Sequence, residues 1–310
     1  MQLEQGEKPP TGVAQDLGGN LRRILAANPS PMTFWGTNTY LLGTRQLAVI
    51  DPGPDDPDHL AAILRALGPG QSVSHILITH AHLDHSPLAA RLSAETGAPV
   101  LAYGDARVGR SPVMQRLAES GLIGGGEGVD TDFTPDLVLC DGEVVTGDGW
   151  QITAHWTPGH FGNHLCFATG DTVLTGDLVM GWASSLVSPP DGDLTQFMTS
   201  CARIQALGAR RHLPGHGAPI ETPLARLDWL MSHRRARETA ILEALRQGPL
   251  TAPQIAAQLY TDTPATLLPA ASRNVLAHLV DLTQKSLVKP LQTLSANSSF
   301  SLPGTPERST

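Results

Sequence analysis

Cysteine is scarce in this chain. Its three copies, Cys140, Cys166 and Cys201, are odd in number and irregularly spaced. That argues against a disulfide framework and makes a reducing cytoplasm the expected location. Long apolar runs are missing as well. No stretch of about 18 apolar residues occurs, so no membrane span is expected. The opening MQLEQGEKPPTGVAQDLGGN is polar and lacks an apolar h-region, so no signal peptide is read there. Positive charge is not in surplus either. A net charge of −8 is unfavourable for non-specific binding to nucleic acid or to an anionic membrane. With neither a GxSxG elbow nor a GxxxxGK(S/T) loop, serine hydrolase and nucleotide-phosphate chemistry have no motif to rest on. What is present suits a folded protein. Hydrophobic residues make up 41% of 310 positions and charged ones 16%, enough for one large domain or two.

Residues 1–30 read as an N-terminal extension. TNTYLLG and LAVIDPG then look like two strands, the second ending in the turn signal Asp51-Pro52-Gly53. DPDHLAAILRALG has helical periodicity, with Gly68 as a stop. VSHILITH is a buried strand, and SPLAARLSAETG a helix with Ser86 as N-cap, Pro87 at its first position and Gly97 at its end. APVLAY reads as a strand and GLIGGGEGVDTDF as a glycine-rich surface loop. LVLCDGEVV, WQITAHWTPGH, HLCFATGD and DTVLTGDLV alternate like strands. DLTQFMTSCARIQALG is a helix capped by Asp193, followed by the strand and turn RRHLPGHG.

The pattern turns helical after Ile220. A connecting helix over 223–236 leads to a module over 237–293, where TAPQIAAQLY and PAASRNVLAHLVDLTQKS are helices and LVKP a short strand. That order resembles a winged helix. Residues 219–310 hold nine Lys/Arg against seven Asp/Glu, less acidic than the rest but no basic stripe. The Ser/Pro-rich tail 294–310 is expected to be flexible.

One stretch asks for a specific cause. THAHLDHSP packs His80, His82, Asp84 and His85 into six positions at the end of a strand. Neutral imidazole and carboxylate are good ligands for Zn²⁺ and similar ions. Three further donors stand at later strand ends: His160 in TPGH, Asp177 in TGD and His216 in LPGHG. Each has glycine beside it, which lets the backbone turn sharply. A lone histidine at such a place is more often structural, but three donors in order after HxHxDH point to metal.

With THAHLDH, TPGH, TGD and PGHG in this order, the chain resembles the metallo-β-lactamase superfamily over roughly residues 35–220. The resemblance implies a four-layer αββα sandwich over 31–222 with the site at one edge of its paired sheets. It also implies two divalent ions. His80, His82 and His160 would bind the first, Asp84, His85 and His216 the second, and Asp177 would bridge them. Zn²⁺ is the expected ion, and iron or manganese suits the same donors. The ions would share a water of lowered pKa, giving a hydroxide that attacks a carbonyl carbon or phosphorus, with Asp84 orienting it or taking its proton. Asp51 resembles the carboxylate that orients ligand histidines, though a turn-forming Asp before Pro reads equally well. His164 resembles a catalytic histidine that bonds substrate or a ligand, and a satisfied strand histidine is the other reading. Trp182, Ser184 and Ser185 lie in a loop expected to rim the site and touch substrate.

The full donor set resembles the glyoxalase II and phosphodiesterase branches, and His85 disfavours antibiotic hydrolysis. The winged-helix-like segment is similar to the lactamase-beta-like-protein-two group, whose animal members are described as single-strand endoribonucleases. Leu83 stands where relatives often carry a basic residue, which together with the overall acidity weakens phosphodiester cleavage. Ester or thioester hydrolysis of a small molecule is therefore expected, with RNA as the alternative partner. A DNA-binding regulator with a vestigial metal domain is the third reading, motivated by Arg234, Arg235 and Arg237. Against it, the third helix shows only Arg273 and Lys285. The C-terminal module is preferred as a wall or lid over the catalytic edge.

Overall fold

Several strands are apolar on both faces, and each face meets a different layer. The computed structural model describes residues 6–125 and 128–304. Seven strands form the first sheet in chain order: β1 (Gln15–Gly18), β2 (Leu21–Leu25), β3 (Asn38–Leu42), β4 (Gln46–Ile50), β5 (Ser72–Leu77), β6 (Val100–Ala102) and β7 (Leu137–Val138). Pairing is antiparallel from β1 to β4 and parallel from β4 to β7. The second sheet holds β8 (Val144–Gly147), β9 (Trp150–Trp156), β10 (Leu165–Thr169), β11 (Thr172–Gly176) and β12 (Arg211–Pro214). There only β11 and β12 run parallel.

Alternation along the strands sorts side chains into layers. Tyr40, Leu42, Ala48, Ile50 and Leu77 of the first sheet meet Ile152, Ala154, Leu165, Phe167 and Leu174 of the second in one inter-sheet core. Their neighbours Leu41, Val49 and Ile76 face outward, onto α1 (Pro57–Arg65) and α2 (Leu88–Thr96) through Leu60, Ile63, Leu88 and Leu92. α3 (Pro112–Glu119) follows β6 in the chain. Cys166 and Val173 face the opposite way, onto α4 (Leu194–Ala206) and α5 (Pro223–Leu245). The result is the expected αββα sandwich.

A smaller C-terminal body follows. The end of α5 packs with α6 (Ala252–Leu259), α7 (Leu268–Gln284) and a sheet of β13 (Leu250–Thr251), β14 (Lys289–Pro290) and β15 (Ser299–Ser301) in the order β13-β15-β14. Thr251 caps α6 with its hydroxyl while Gln254 reaches back to the Thr251 backbone, a reciprocal capping box. Val113, Met114 and Leu117 of α3 join this core, so the two bodies share apolar packing. Among the described residues no helix is long and apolar enough to cross a membrane.

Four expectations need correction. The stretch 1–30 is not all extension, because β1 and β2 complete the first sheet and bury Ile24 and Leu25. No break separates a connecting helix 223–236 from the module at 237, because α5 runs unbroken to Leu245. The tail 294–310 is structured over Ser299–Ser301, where Phe300 is fully buried in the C-terminal core. Its last residues, 305–310, lie outside the described residues, as do 1–5 and two residues of the glycine-rich loop. Ser86 does not cap α2. Its hydroxyl donates to the Asp130 carboxylate at 2.7 Å, and Pro87 holds the cap position.

Candidate metal centre

The chain turns that carry the seven donors share one edge of the sandwich. His80, His82, Asp84 and His85 follow β5, His160 follows β9, Asp177 follows β11 and His216 follows β12. In open sheets such strand ends are where ligands bind. Two hydrogen bonds stitch the sheets together there: Leu165 N donates to Thr79 O at 2.7 Å, and Asn38 N donates to Gly215 O at 2.7 Å. Space is tight enough to dictate glycine. A Cβ on Gly215 would collide with Asp177 Oδ1 and with the His85 ring, so residue 215 must lack a side chain for those two donors to approach.

The donors converge in three overlapping groups whose ligand atoms lie within 4.8 Å of one another: His80, His82 and His160; His80, His85 and Asp177; Asp84, His85 and His216. All seven are buried. His80 Nε2 stands 2.9 Å from His82 Nδ1, and His160 Nε2 3.2 Å from the same atom. His216 Nε2 is 3.1 Å from Asp84 Oδ2 and 3.3 Å from Asp177 Oδ2. His85 Nε2 is 3.6 Å from Asp177 Oδ1. Asp177 therefore reaches members of both halves, with His160 Nε2 at 3.7 Å.

The far ring nitrogens are occupied by protein, which fixes the tautomers. His85 Nδ1 donates to Asp51 Oδ2 at 2.9 Å, His160 Nδ1 to Leu186 O at 2.7 Å and His216 Nδ1 to Gly36 O at 3.1 Å. Thr79 gives its hydroxyl hydrogen to Asp51 Oδ2 at 2.7 Å, so its oxygen accepts from His80 Nδ1 at 3.0 Å. Four imidazoles thus turn a lone pair toward the same small volume. Lone pairs brought that close repel unless a cation lies among them. Two carboxylate oxygens, Asp84 Oδ1 and Asp177 Oδ1, are also buried without a hydrogen-bond partner. Orphaned acceptors beside converging lone pairs fit a metal centre.

The electrostatics divide the cluster. Burial and then the neighbouring imidazoles lower His80 far below its usual value and His82 to about 3, and burial lowers His160. Those three are neutral imidazoles, the form that can ligate a metal. Burial opposes the charge on Asp84 and Asp177, but His85 and His216 outweigh it and hold both carboxyls well below the usual range. In return, against its own burial, His216 is raised to about 10, chiefly by Asp177. The acidic half therefore takes up protons when no other cation is there.

Asp51 lies just behind the donor cluster. Its backbone is left-handed at φ 51°, and it accepts from Thr79 N, Thr79 Oγ1 and His85 Nδ1. His164 needs correction. Asp177 N donates to its Nε2 at 3.3 Å, and its Nδ1 pairs with Thr157 Oγ1 at 2.9 Å. Both nitrogens are spent inside the protein, so the ring supports the Asp177 turn and has no nitrogen left to bond a substrate. Thr157 passes its own hydrogen to Cys166 Sγ at 3.3 Å. The Cys166 thiol is pushed up to about 12 by burial and packs as a small core side chain. Ser185 is also corrected, because it is fully buried and donates to Leu178 O at 2.9 Å.

Trp182 and Ser184 do line a cavity of about 210 Å³ with His82, Asp84, His160, Asp177 and His216. Trp182 stacks on Phe34, centroids 4.8 Å apart, and Phe34 stacks on Trp35. The opposite wall comes from the C-terminal body: Tyr260, Thr263, Leu267, Ala270, Ala271 and Asn274. Sequence reasoning missed these wall residues, since nothing near them in the chain marks them. It also missed Thr79, whose place beside His80 was the available signal. Leu83 is 46% exposed and outside the cavity wall. The arginines of the regulator reading are largely committed. Arg234 is buried and bonds Ser185 O and Asn274 Oδ1, and Arg237 donates to Leu259 O and stacks over Tyr260.

Known proteins fit this geometry. Residues 32–216 match the metallo-beta-lactamase superfamily, and residues 251–293 match the beta-lactamase associated winged helix domain. A beta-lactamase-like protein 2 homolog of Drosophila melanogaster is 32% identical over 88% of this chain and 91% of its own. An atrochrysone carboxyl ACP thioesterase of Aspergillus fumigatus is 32% identical over 72% of this chain and 64% of its own. Among solved structures, a metallo-beta-lactamase family protein from Thermus thermophilus superposes with a TM-score of 0.74 at 25% identity, covering 93% of this chain and all of the other. The chain belongs to the metallo-beta-lactamase superfamily of hydrolases and carries that superfamily's associated winged helix domain behind the sandwich.

Proposed function

We propose that the protein is a dinuclear metal-dependent hydrolase of a small ester or thioester. The observation that carries this reading is the cavity wall. It places Met32, Met180, Trp182, Leu186 and Leu267 beside the donor cluster, and no lysine or arginine is among its described residues. The permanent negative charge of a phosphodiester would find cations only in the bound ions and none in the rest of the wall, whereas an acyl group is neutral and apolar and suits that wall. The relative named as an acyl-carrier thioesterase supports the same direction.

In this reading His80, His82 and His160 would hold one ion and Asp84, His85 and His216 the other, with Asp177 placed to serve both. When bound, the ions supply a water of lowered pKa and an electrophile for the developing oxyanion. The chain does the rest. Asp51, Gly36 O and Leu186 O keep three imidazoles in the tautomer that presents Nε2. Asp84 Oδ1, free of protein partners, orients the attacking water. Hydrolysis forms a carbon–oxygen bond, breaks the carbon–sulfur or carbon–oxygen bond of the substrate, and releases a carboxylate, a thiol or alcohol, and a proton. The apolar wall excludes other water from the acyl group. Residues 223–293 serve as that wall rather than as a nucleic-acid reader.

A parallel hydrolysis screen tests the proposal. The metal-defined protein is offered S-acyl-glutathione, an acyl-CoA thioester, a lactone, a chromogenic phosphodiester, a cephalosporin and single-stranded RNA. Thioester or ester turnover abolished by Asp84→Ala is the expected result. Faster cleavage of RNA or the phosphodiester would sink it.

A further inference from the structure

The cavity lining combines two chemistries. It includes five of the candidate ligands, His82, Asp84, His160, Asp177 and His216, beside which the reacting carbonyl belongs. Asn274 of α7 stands in the wall built by the C-terminal body. Its amide is held from behind. Val187 N donates to its Oδ1 at 3.0 Å, and Arg234 Nη1 donates to the same oxygen at 2.9 Å. Arg234 is itself fixed by Ser185 O and by the Phe197 ring, which its guanidinium covers at 5.1 Å. Two donors on one oxygen settle which edge of the amide is which. Nδ2, with two N–H donors, is therefore the remaining edge. It has no hydrogen-bond partner among the described residues, and it is not sealed in protein.

We infer that Asn274 is a specificity residue: its Nδ2 donates a hydrogen bond to a second oxygen on the acyl group of the substrate. The inference rests on the hydrolase reading above and narrows its substrate class. The preferred acyl group is apolar in body, small, and carries an oxo or hydroxyl oxygen away from the scissile carbonyl. Three arguments converge. Of the other polar wall side chains, Ser184, Tyr260 and Thr263 carry hydroxyls that rotate to donate or accept, while the Asn274 amide, like the Trp182 indole, has only donors left to offer. A site that spends a fixed donor on a substrate oxygen rejects the analogue lacking it far more strongly than an apolar site does. The volume of about 210 Å³ lies below the ~300–1,000 Å³ of sites that enclose whole ligands, so the acyl part fits and the carrier or leaving group extends outward.

Arg234 is a positioning residue in this scheme. It touches no substrate and sets the amide, and through Ser185 O it ties the loop bearing Trp182 and Ser184 to the same frame.

The test uses two stable thioether analogues of equal chain length, one with a 3-oxo group and one fully saturated. Binding is read by calorimetry, and hydrolysis of the matching thioesters is followed separately. Asn274→Asp keeps the oxygen that Val187 N and Arg234 hold and exchanges only the donor for an acceptor. Wild type is expected to bind the oxo analogue at least tenfold more tightly, and Asn274→Asp to bring the two within about twofold by weakening the oxo analogue. Asn274→Leu also strands Val187 N and Arg234, so it is the control for the frame and is expected to weaken both analogues. Equal binding of both analogues by wild type, or a parallel loss of both in Asn274→Asp, overturns the inference. Discrimination in binding with no thioester cleaved leaves Asn274 standing and sinks the thioesterase reading instead.

Discussion

Asp51 has no place among the donor groups, yet three of its contacts decide how those groups are arranged. It fixes the Nδ1–H of His85 and holds both the backbone and the hydroxyl of Thr79, which in turn orients His80. Removing such a partner typically weakens metal affinity about 10–100-fold. Asp51→Ala should show that loss in competition with a chelator, and a variant that keeps its metal under the same chelator would contradict the role. His164 should behave differently. Its loss strands the Asp177 N–H and takes from the Thr157 oxygen the hydrogen bond it accepts, at a cost of about 1–3 kcal/mol. His164→Leu is expected to lower the melting temperature and kcat while leaving KM near wild type. A large KM change alone would restore a substrate contact for this histidine.

At the scale of elements, legibility followed local signal. Seven donors were readable because each stands at a strand end in a short motif, and α1, α4 and α6 were readable from periodicity and caps. β2 was missed because Arg22 and Arg23 break its apolar pattern. Arg23 is nonetheless buried, with its guanidinium on Gly217 O at 3.0 Å. β15 was missed because three residues in a Ser-rich tail carry almost no pattern, and only the tertiary core supplies the partners of Phe300. Asn274 was illegible for the same reason, since Val187 and Arg234 lie 87 and 40 positions away. The strand has a measurable worth. Phe300→Ala should cost about 3–5 kcal/mol, as for other buried phenylalanines, read by denaturant unfolding. A cost within 0.5 kcal/mol would mean the tail is peripheral after all.

For the molecule as a whole, several buried histidines make stability depend on pH. Burial lowers His59 to about 4, His212 to about 4 and His278 to about 3, against 6.5 for the open group. Between those values the unfolded chain binds protons that the native state refuses. Stability is therefore full above pH 6.5 and falls as pH drops toward 4, by about 1.4 kcal/mol per pH unit for each histidine. His278 has no hydrogen-bond partner on either nitrogen, so His278→Leu should flatten the decline without loss at pH 8. Urea midpoints across pH 4.5–8 measure it, and an unchanged slope would refute the assignment.

The two bodies are joined by one 23-residue helix, α5, rather than by a loop. At ~1.5 Å per residue it is a shaft of about 34 Å, and it carries Arg234 midway. A shaft transmits rotation. One residue inserted after Arg237 would turn everything beyond it by about 100°, swinging Tyr260, Leu267 and Asn274 out of the cavity wall. Four inserted residues, about one full turn, would restore the angle but displace the wall along the axis by about 6 Å. Surface loops of the sandwich absorb such changes by bulging. In the proposed hydrolase, substrate preference is thus written partly in a count of residues, and a relative whose helix differs by one should read a different acyl group.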